Sequence, residues 1–290
     1  MGAILNKNID EKFSSIFEPG LYPNTIFKPG DTFSDRYRVT DAGTVYVHKL
    51  APKTIVPALP GGDYVHTTDA DTLIQISMNN TLMYSESISK IAELQTAYPI
   101  VIAEMEEILK SAGLARDFSG LACLKYEGTA ASGTSALTTS NIEAEILAVK
   151  TQLEESYVNA TTVLCSPKTY NMIIAAAGPR FTPIINEKMN VSGEVGIWLG
   201  MKFINCPQLG NNAAKYIDYS GTLRTVDLSG IDFIMYNKDA LSIVDQLDEA
   251  RVVDAAPVRP GSFVQLCMLI GYRVTNSASV VARSTVVSPG

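Results

Sequence analysis

The sequence predicts a mixed α+β fold in which strand patterns and helix patterns occupy different stretches of the chain. Two short segments, 44–49 and 72–77, are rich in β-branched residues, and the first alternates strictly, as a half-exposed strand does. Between Ile88 and Ala112, apolar residues recur every three or four positions, which is the period of a helix. From Asn141 onwards, helix patterns alternate with strand patterns.

The composition is that of a folded chain with few surface charges. Of its 290 residues, 46% are hydrophobic and only 18% are charged, which is below the roughly 25% usual for globular domains. Its apolar runs are far shorter than the ~20 residues that a membrane helix requires. Such a chain is expected to be soluble, and it must either tolerate an apolar surface or cover that surface with partners. The net charge of −7 argues against a dedicated nucleic-acid-binding protein, which normally carries a basic stripe.

The first 35 residues are predicted to form an extended arm. Prolines at positions 19, 23 and 29 prevent a regular helix or a central strand here. Large aromatic residues are spaced between these prolines, and they are costly to leave in water, so the arm is expected to lie on another surface. These aromatic residues are Phe13, Phe17, Tyr22, Phe27 and Phe33.

Residues 36–77 are predicted to form a long two-stranded hairpin. In its first strand, Val45 and Val47 share one face, whereas Tyr46 and His48 share the other. The return strand, 72–77, contains Ile74 and Ile76, and the connection between the strands is rich in proline and glycine. An isolated two-stranded ribbon is only marginally stable in water, so this hairpin is expected to lie on an outside surface.

Two helices are predicted after the hairpin. The apolar stripe that begins near Ser85 predicts a short helix to about Gln95. A longer helix then starts near Thr96, with Pro99 in its first turn, where the missing N–H does no harm. A loop rich in Gly, Ala, Ser and Thr, at 128–140, follows this helix.

The second half of the chain is predicted to be a mixed α/β region. Asn141 can cap a helix with an apolar face, and Ser166 with Pro167 can begin another helix that ends near Ala177. The apolar face of the first helix consists of Ile142, Ile146, Val149 and Leu153. Strands are predicted at 161–165, 197–205, 231–236, 246–254, 263–275 and 280–287. The strand at 263–275 is almost entirely apolar, which predicts a sheet covered on both faces.

No constellation of residues typical of an enzyme is found. The only histidines, His48 and His66, fall in the predicted hairpin, which is a poor rigid support for catalysis. Nucleophile-elbow, phosphate-loop, dinucleotide-binding and zinc-protease motifs are missing from the sequence. The carboxylates at 245, 248 and 249 lack a metal-ligand histidine nearby and are interpreted as contact residues. The chain is therefore predicted not to be an enzyme and to need no cofactor or metal.

The four cysteines are far apart in the sequence and form no C-x-x-C pair. Most of them sit within apolar stretches, which predicts buried free thiols and suits a reducing cytoplasm. They are Cys123, Cys165, Cys206 and Cys267.

The order of an arm, a projecting hairpin, a long helix and a mixed α/β region resembles the major capsid proteins of tailed bacteriophages, which have the HK97-like fold. The resemblance spans nearly the whole chain. It is carried by the segments NIEAEILAVK at 141–150, ATTVLCSPKTY at 160–170, GEVGIWLGMKFINCP at 193–207 and GYRVTN at 271–276. No single motif among them is diagnostic.

The resemblance implies a division of the chain into four parts. These are an N-terminal arm at 1–35, an extended loop at 36–84, a peripheral domain with a spine helix at 85–140 and 244–278, and an axial α/β domain at 141–243 and 279–290. The spine helix is expected at about 96–117. No long helical segment precedes the arm, so a separate scaffolding protein, or none, is expected. Lys49 and Lys53 are candidates for covalent cross-linking by position only.

The resemblance also implies a function. Copies of the chain would assemble into hexamers and pentamers of an icosahedral virion shell that encloses double-stranded DNA, built in the bacterial host cytoplasm. Expected partners are other copies, the packaged DNA without sequence specificity, and portal, scaffolding or decoration proteins. An encapsulin-like compartment shell is one alternative, and a cytosolic α/β enzyme or ligand-binding protein is another. The predicted subunit contacts are Phe13, Phe17, Tyr22, Phe27, Phe33, Val45, Tyr46, Val47, His48, Ile74 and Ile76.

Overall fold

The computed structural model describes residues 26–34, 36, 43–49, 72–89, 100–131, 135–183, 195–210, 213–254 and 261–285. The helices are α1 (Ile100–Glu127), α2 (Ile142–Glu155) and α3 (Pro167–Ala177). The strands are β1 (Thr44–Lys49), β2 (Thr72–Ser77), β3 (Asn80–Ser89), β4 (Thr129–Ala130), β5 (Thr162–Cys165), β6 (Thr182–Pro183), β7 (Val195–Trp198), β8 (Met201–Asn205), β9 (Ala213–Ile217), β10 (Leu223–Asp227), β11 (Ile231–Tyr236), β12 (Leu241–Asp254), β13 (Gly261–Val274) and β14 (Val280–Ser284).

A long antiparallel sheet, in the order β12-β13-β3, packs against helix α1. From Val264 to Val274, every second residue of β13 faces the helix and is buried, because successive side chains of a strand point to opposite faces. The alternate residues of β13, such as Phe263 and Cys267, are only half-buried. The second face of this sheet is therefore covered only in part in the subunit, because β1 and β2 pack on Leu269 whereas Phe263 and Cys267 stay half-buried.

Two predictions around this sheet need correction. Residues 85–89 belong to strand β3, not to a short helix, and Ile88 is buried. The boundary predicted after residue 84 therefore falls inside a strand. Helix α1 is also longer than expected, since it continues through Gly113 to Glu127. Residues 90–99, where a helix start was predicted, lie outside the described residues.

The second sheet has seven strands in the order β4-β14-β11-β5-β8-β7-β6. It separates two apolar cores. On one side, residues such as Val163 and Phe233 pack against helices α2 and α3. On the other side, residues such as Leu164 and Ile234 join the core around α1. Because side chains alternate along the central strands, each of these strands contributes residues to both apolar cores.

Most elements predicted for this half are confirmed. The buried residues of α2 are the four predicted ones, Ile142, Ile146, Val149 and Leu153. The side chain of Ser166 accepts a hydrogen bond from Thr169 N at the start of α3. The segment predicted as one strand at 197–205 is instead the hairpin β7–β8. Its turn residues, Leu199 and Gly200, both have positive φ angles, 52° and 76°, which suit a tight hairpin turn.

None of the three described helices has an apolar stretch sufficient to cross a membrane. Three of the four cysteines, Cys123, Cys165 and Cys206, are buried as predicted, whereas Cys267 is half-buried.

Candidate subunit-contact surface

The β1–β2 hairpin has one face turned to its own subunit and one face turned to solvent. Its strands pair antiparallel, with Val45 opposite Ile76 and Val47 opposite Ile74. These four residues share a face that packs on Met78, Val244 and Leu269. Gly271 permits the close approach, since a Cβ there would lie 3.0 Å from Ser77 O. The hairpin therefore lies on the end of the long sheet.

The solvent face of the hairpin carries large apolar side chains. Tyr46 is 60% exposed and Leu73 is 58% exposed. His48, directly opposite Leu73, is exposed as well. Tyr46 lies diagonally across from Leu73 on this face, and we call these two exposed side chains the outer hairpin patch.

The base of the hairpin is fixed by side-chain amides. Asn80, which is buried, donates from Nδ2 to Ile217 O at 2.7 Å and accepts from Ile217 N at 2.6 Å. Its neighbour Asn79 donates to Asp218 O at 2.7 Å. At the other end of β1, Lys49 Nζ donates to Asn276 Oδ1 at 3.2 Å. The hairpin is thus held at both ends, so the outer hairpin patch has a defined position.

The segment 26–34 is part of the subunit body. Phe27 and Phe33 are buried in the same core as helix α1. Gly120 of α1 makes room for the Phe27 ring, because a Cβ there would lie 2.6 Å from it. Further along, Tyr236 Oη donates to Thr32 O at 2.9 Å, and Ser34 N donates to Leu241 O at 2.9 Å. The segment therefore connects helix α1 to strands β11 and β12.

A buried carboxylate holds the start of this segment. Both oxygens of Asp117 accept from Ile26 N at 3.1 Å, and Oδ1 also accepts from Phe27 N at 3.5 Å. Burial raises the pKa of Asp117 to about 7, although the two N–H groups and the neighbouring Arg116 act in the opposite direction. The contact between α1 and the segment therefore includes a carboxyl that titrates near neutral pH.

The predicted contact residues fall into three groups. Phe13, Phe17 and Tyr22, as well as His66, lie outside the described residues. Tyr46 and His48 are exposed and Val45 is half-buried. The remaining five, Phe27, Phe33, Val47, Ile74 and Ile76, are buried within their own subunit. Val47, which was predicted to contact a neighbouring subunit, is already covered within its own subunit by Val244 and the residues around it.

The surface also contains large apolar residues that the sequence analysis did not single out. Leu73 alternates with the buried residues of β2, so its exposure could be predicted once the buried face of the hairpin was known. Met83 on β3 is 74% exposed. Tyr157, just after α2, is 99% exposed and has a φ of 58°, a region that favours glycine. Only the structure reveals Tyr157, since a single tyrosine after a helix carries no pattern.

Within the part of the chain that the structure describes, no group of three or more His, Cys, Asp and Glu residues is arranged to hold a metal ion. Asp245, from the predicted carboxylate cluster, pairs with the buried Arg116 at 2.6 Å, which makes it a structural ion pair. Arg283 likewise pairs with Glu145 and Asp232 between β14, α2 and β11.

Solved structures with a similar fold come from virus-like capsids. The chain is similar to the capsid structure of the cyanophage P-SCSP1u, with a TM-score of 0.65 and 11% sequence identity over 85% of this chain and 84% of that chain. It is similar to a chain in the mature capsid of bacteriophage PhiM1, with a TM-score of 0.59 and 13% identity over 87% and 85% of the two chains. For the capsid of a native GTA particle, the TM-score is 0.56 and the identity 11%, over 86% of both chains.

The fold is therefore that of a phage capsid subunit, as the sequence resemblance implied. No protein-family model matches the sequence, and no curated protein matches it either. The division into an arm, an extended loop, a peripheral domain and an axial domain stays a prediction.

Proposed function

We propose that this chain is the major capsid protein of a tailed bacteriophage. Copies of it would assemble into hexamers and pentamers and form an icosahedral shell around double-stranded DNA. The observation that carries the proposal is the capsid fold, which covers more than four fifths of this chain and of each compared chain. The role is structural, and no catalytic step is assigned to any residue.

The exposed apolar residues support self-association. The outer hairpin patch places Tyr46 and Leu73 in water in the free subunit, although burying apolar area gains about 25 cal/mol per Å². The free energy gained from each such contact is reduced by the cost of ordering the two partners. In a closed shell the same contact repeats around every copy, so modest contacts accumulate.

The four parts of the chain have proposed roles in this shell. The extended loop, 36–84, contacts a neighbouring subunit through the outer hairpin patch. Within the proposed arm, Phe27 and Phe33 are packed into the core of their own subunit, so they are not available for such contacts. The axial domain would surround the capsomer centre, and the peripheral domain, with spine helix α1, would lie at its rim.

The expected partners follow from the same proposal. The net charge of −7 limits adhesion to DNA phosphates while the shell fills, and packaging would need no sequence recognition. Portal, scaffolding and decoration proteins would complete the particle. The protein would be found in the virion, after assembly in the bacterial host cytoplasm.

Electron microscopy and sedimentation of the expressed chain test the proposal directly. Closed shells, and particles with double-stranded DNA when the chain is produced during phage infection, are the expected results. Shells that lack DNA and enclose a cargo protein in that setting would instead indicate an encapsulin-like compartment. A stable monomer or dimer at high concentration, with no capsomers or shells, would contradict a capsid role.

A further inference from the structure

The segment 26–34 is anchored to the subunit body differently at its two ends. At its N-terminal end, Ile26 N and Phe27 N donate to the carboxylate of Asp117 on α1. At its other end, Ser34 N donates to Leu241 O at 2.9 Å, which is a bond between two backbone groups. Of these two anchors, only the first contains a group that can gain or lose a proton, so only the first can respond directly to pH.

The carboxyl group of Asp117 lies in a place that does not favour a charge. Asp117 is fully buried, and among the described residues no lysine or arginine forms an ion pair with it. The neighbouring Arg116 points Nη2 to Asp245 instead, at 2.6 Å. Because a buried charge without a paired cation is costly, the closed contact favours the protonated carboxyl. Burial accordingly raises the pKa of Asp117 to about 7, although the N–H groups of Ile26 and Phe27 and the charge of Arg116 act in the opposite direction.

Four other charged or titratable side chains face this site from the elements packed around it. They are Arg116 on α1, Asp245 on β12, Cys206 just after β8 and Tyr272 on β13. Arg116 stays charged throughout the neutral range and is the ion-pair partner of Asp245. Burial raises the pKa of Cys206 to about 12 and that of Tyr272 above its ordinary value. A change of protonation at this site between pH 5 and pH 8 is therefore assigned to Asp117.

The Phe27 ring occupies a notch in α1 that glycine leaves open. Gly120 follows Asp117 by three positions, so the two residues are neighbours on one face of the helix. A Cβ at Gly120 would lie 2.6 Å from the Phe27 ring. Ile26 and Phe27 are both buried in the core around α1. Because the carboxyl and the notch hold adjacent residues of the segment, we expect the two contacts to open and close together.

We propose that Asp117 and Gly120 form a pH-sensitive latch for the N-terminal end of segment 26–34. Below neutral pH the latch is closed, and Ile26 and Phe27 are buried against α1. As the pH rises through 7, the Asp117 carboxyl loses its proton to water, and hydration of the carboxylate favours release of residues 26–27 from the helix. Ser34 remains paired with the subunit body during this release. The latch belongs to the single subunit, so it does not depend on the proposed shell function.

Amide hydrogen exchange of the unassembled full-length subunit, measured at single residues, tests the latch. The quantity compared is the protection factor, which is the intrinsic exchange rate at each pH divided by the observed rate. About two pKa units of deprotonation correspond to a factor of about 100, so the protection of the Phe27 amide should fall about 10- to 100-fold from pH 5 to pH 8. At pH 8 it should be at least about tenfold below that of the Ser34 amide. Equal protection of the two amides at both pH values would mean that the segment is released only when the whole subunit unfolds, and would overturn the latch.

Three variants assign the effect to the latch. Asp117→Asn should hold the protection of the Phe27 amide constant within about twofold between pH 5 and pH 8, because the amide cannot lose a proton in this range. Gly120→Ala should lower this protection at both pH values, because the added methyl group occupies the notch.

The matched control is Asp31→Asn, which neutralises the carboxylate of the same segment that binds Lys202 Nζ at 2.7 Å. This variant should keep the pH dependence of the wild type. A pH dependence that survives in Asp117→Asn, or that disappears equally in Asp31→Asn, would contradict the assignment to Asp117. The comparison of these two variants with the wild type stands even if Gly120→Ala fails to fold.

Discussion

Replacing Asp117 with Asn should remove a pH-dependent loss of subunit stability. Burial raises the pKa of Asp117 from its ordinary 3.8 to about 7 in the folded subunit. Between these two values, the unfolded chain releases the proton and the folded chain keeps it. Stability from this group is therefore fully present below pH 4 and is lost as the pH rises to 7. A difference of about three pKa units corresponds to about 4 kcal/mol.

The groups that face Asp117 do not titrate in this interval. Arg116 remains charged, and burial raises the pKa of Cys206 to about 12 and that of Tyr272 above its ordinary value. Asn is the neutral analogue of the protonated carboxyl and keeps an oxygen that can accept from Ile26 N. The pH dependence assigned to this site should therefore disappear in Asp117→Asn.

Urea unfolding of the unassembled subunit at pH 5 and pH 8, followed by circular dichroism, measures this effect. The free energy of unfolding of Asp117→Asn, relative to that of the wild type, should be about 3 kcal/mol higher at pH 8 than at pH 5. The reason is that about two pKa units lie between pH 5 and the pKa of Asp117 in the folded subunit. Asp239→Asn is the control, because Asp239 is exposed beside Arg36. An equal difference between variant and wild type at both pH values would refute the reasoning.

Three further predictions concern the two faces of the hairpin, the turn after α2 and the N-cap of α3. Val47→Asp should destabilise the subunit by about 3 kcal/mol or more, since it buries a charge without a partner. Tyr46→Asp should change the free energy of unfolding by no more than about 0.5 kcal/mol and yet prevent shell formation. Urea unfolding and sedimentation measure the two effects, and the reverse ranking would contradict the assigned hairpin faces. Tyr157→Gly should raise the unfolding free energy by about 1 kcal/mol, because glycine tolerates the positive φ; Tyr157→Ala, measured in parallel, should show no such gain. Ser166→Ala should cost about 1 kcal/mol through loss of the N-cap of α3, visible as a lower Tm, whereas an unchanged Tm would mean that the cap contributes nothing.

Local sequence signals were sufficient where one face of an element meets the core. All four buried residues of α2 follow from the helical period, and Ser166 with Pro167 marks the start of α3. Strand β5 follows from a short β-branched run. Helices α2 and α3 have one apolar face each, so the helical period identifies the buried residues. Strand β5 is buried on both faces, and its composition alone marks it.

The sequence was ambiguous where a residue fits two periods. Ile88 lies on the same face of β3 as Leu82 and Tyr84, at the two-residue period of a strand. That face is turned to α1, and its neighbours on β13 are Leu266 and Met268. It also begins the helical stripe that continues beyond residue 90, and Glu86 interrupts the apolar alternation. The pairing of β3 with β13, a contact distant in sequence, decides between the two.

The hairpin shows a second limit. Alternation correctly placed Val45 with Val47 and Tyr46 with His48 on opposite faces. Both faces carry apolar side chains, so alternation alone does not say which face meets the subunit body. The arm shows a similar limit. The prolines near Phe27 and Phe33 excluded a regular helix or strand, but they did not show whether these two rings are buried in the core.

The contacts of segment 26–34 impose an order on the folding of the chain. Its partners Asp117, Tyr236 and Leu241 are 91 or more residues away in sequence. During synthesis, Ser34 has no backbone partner until Leu241 has left the ribosome, by which time most of the chain is available to fold. We therefore expect the segment to dock as one of the last steps of subunit folding. Phe27 and Phe33 complete the core only at that point, so we expect assembly contacts of the subunit to follow this docking.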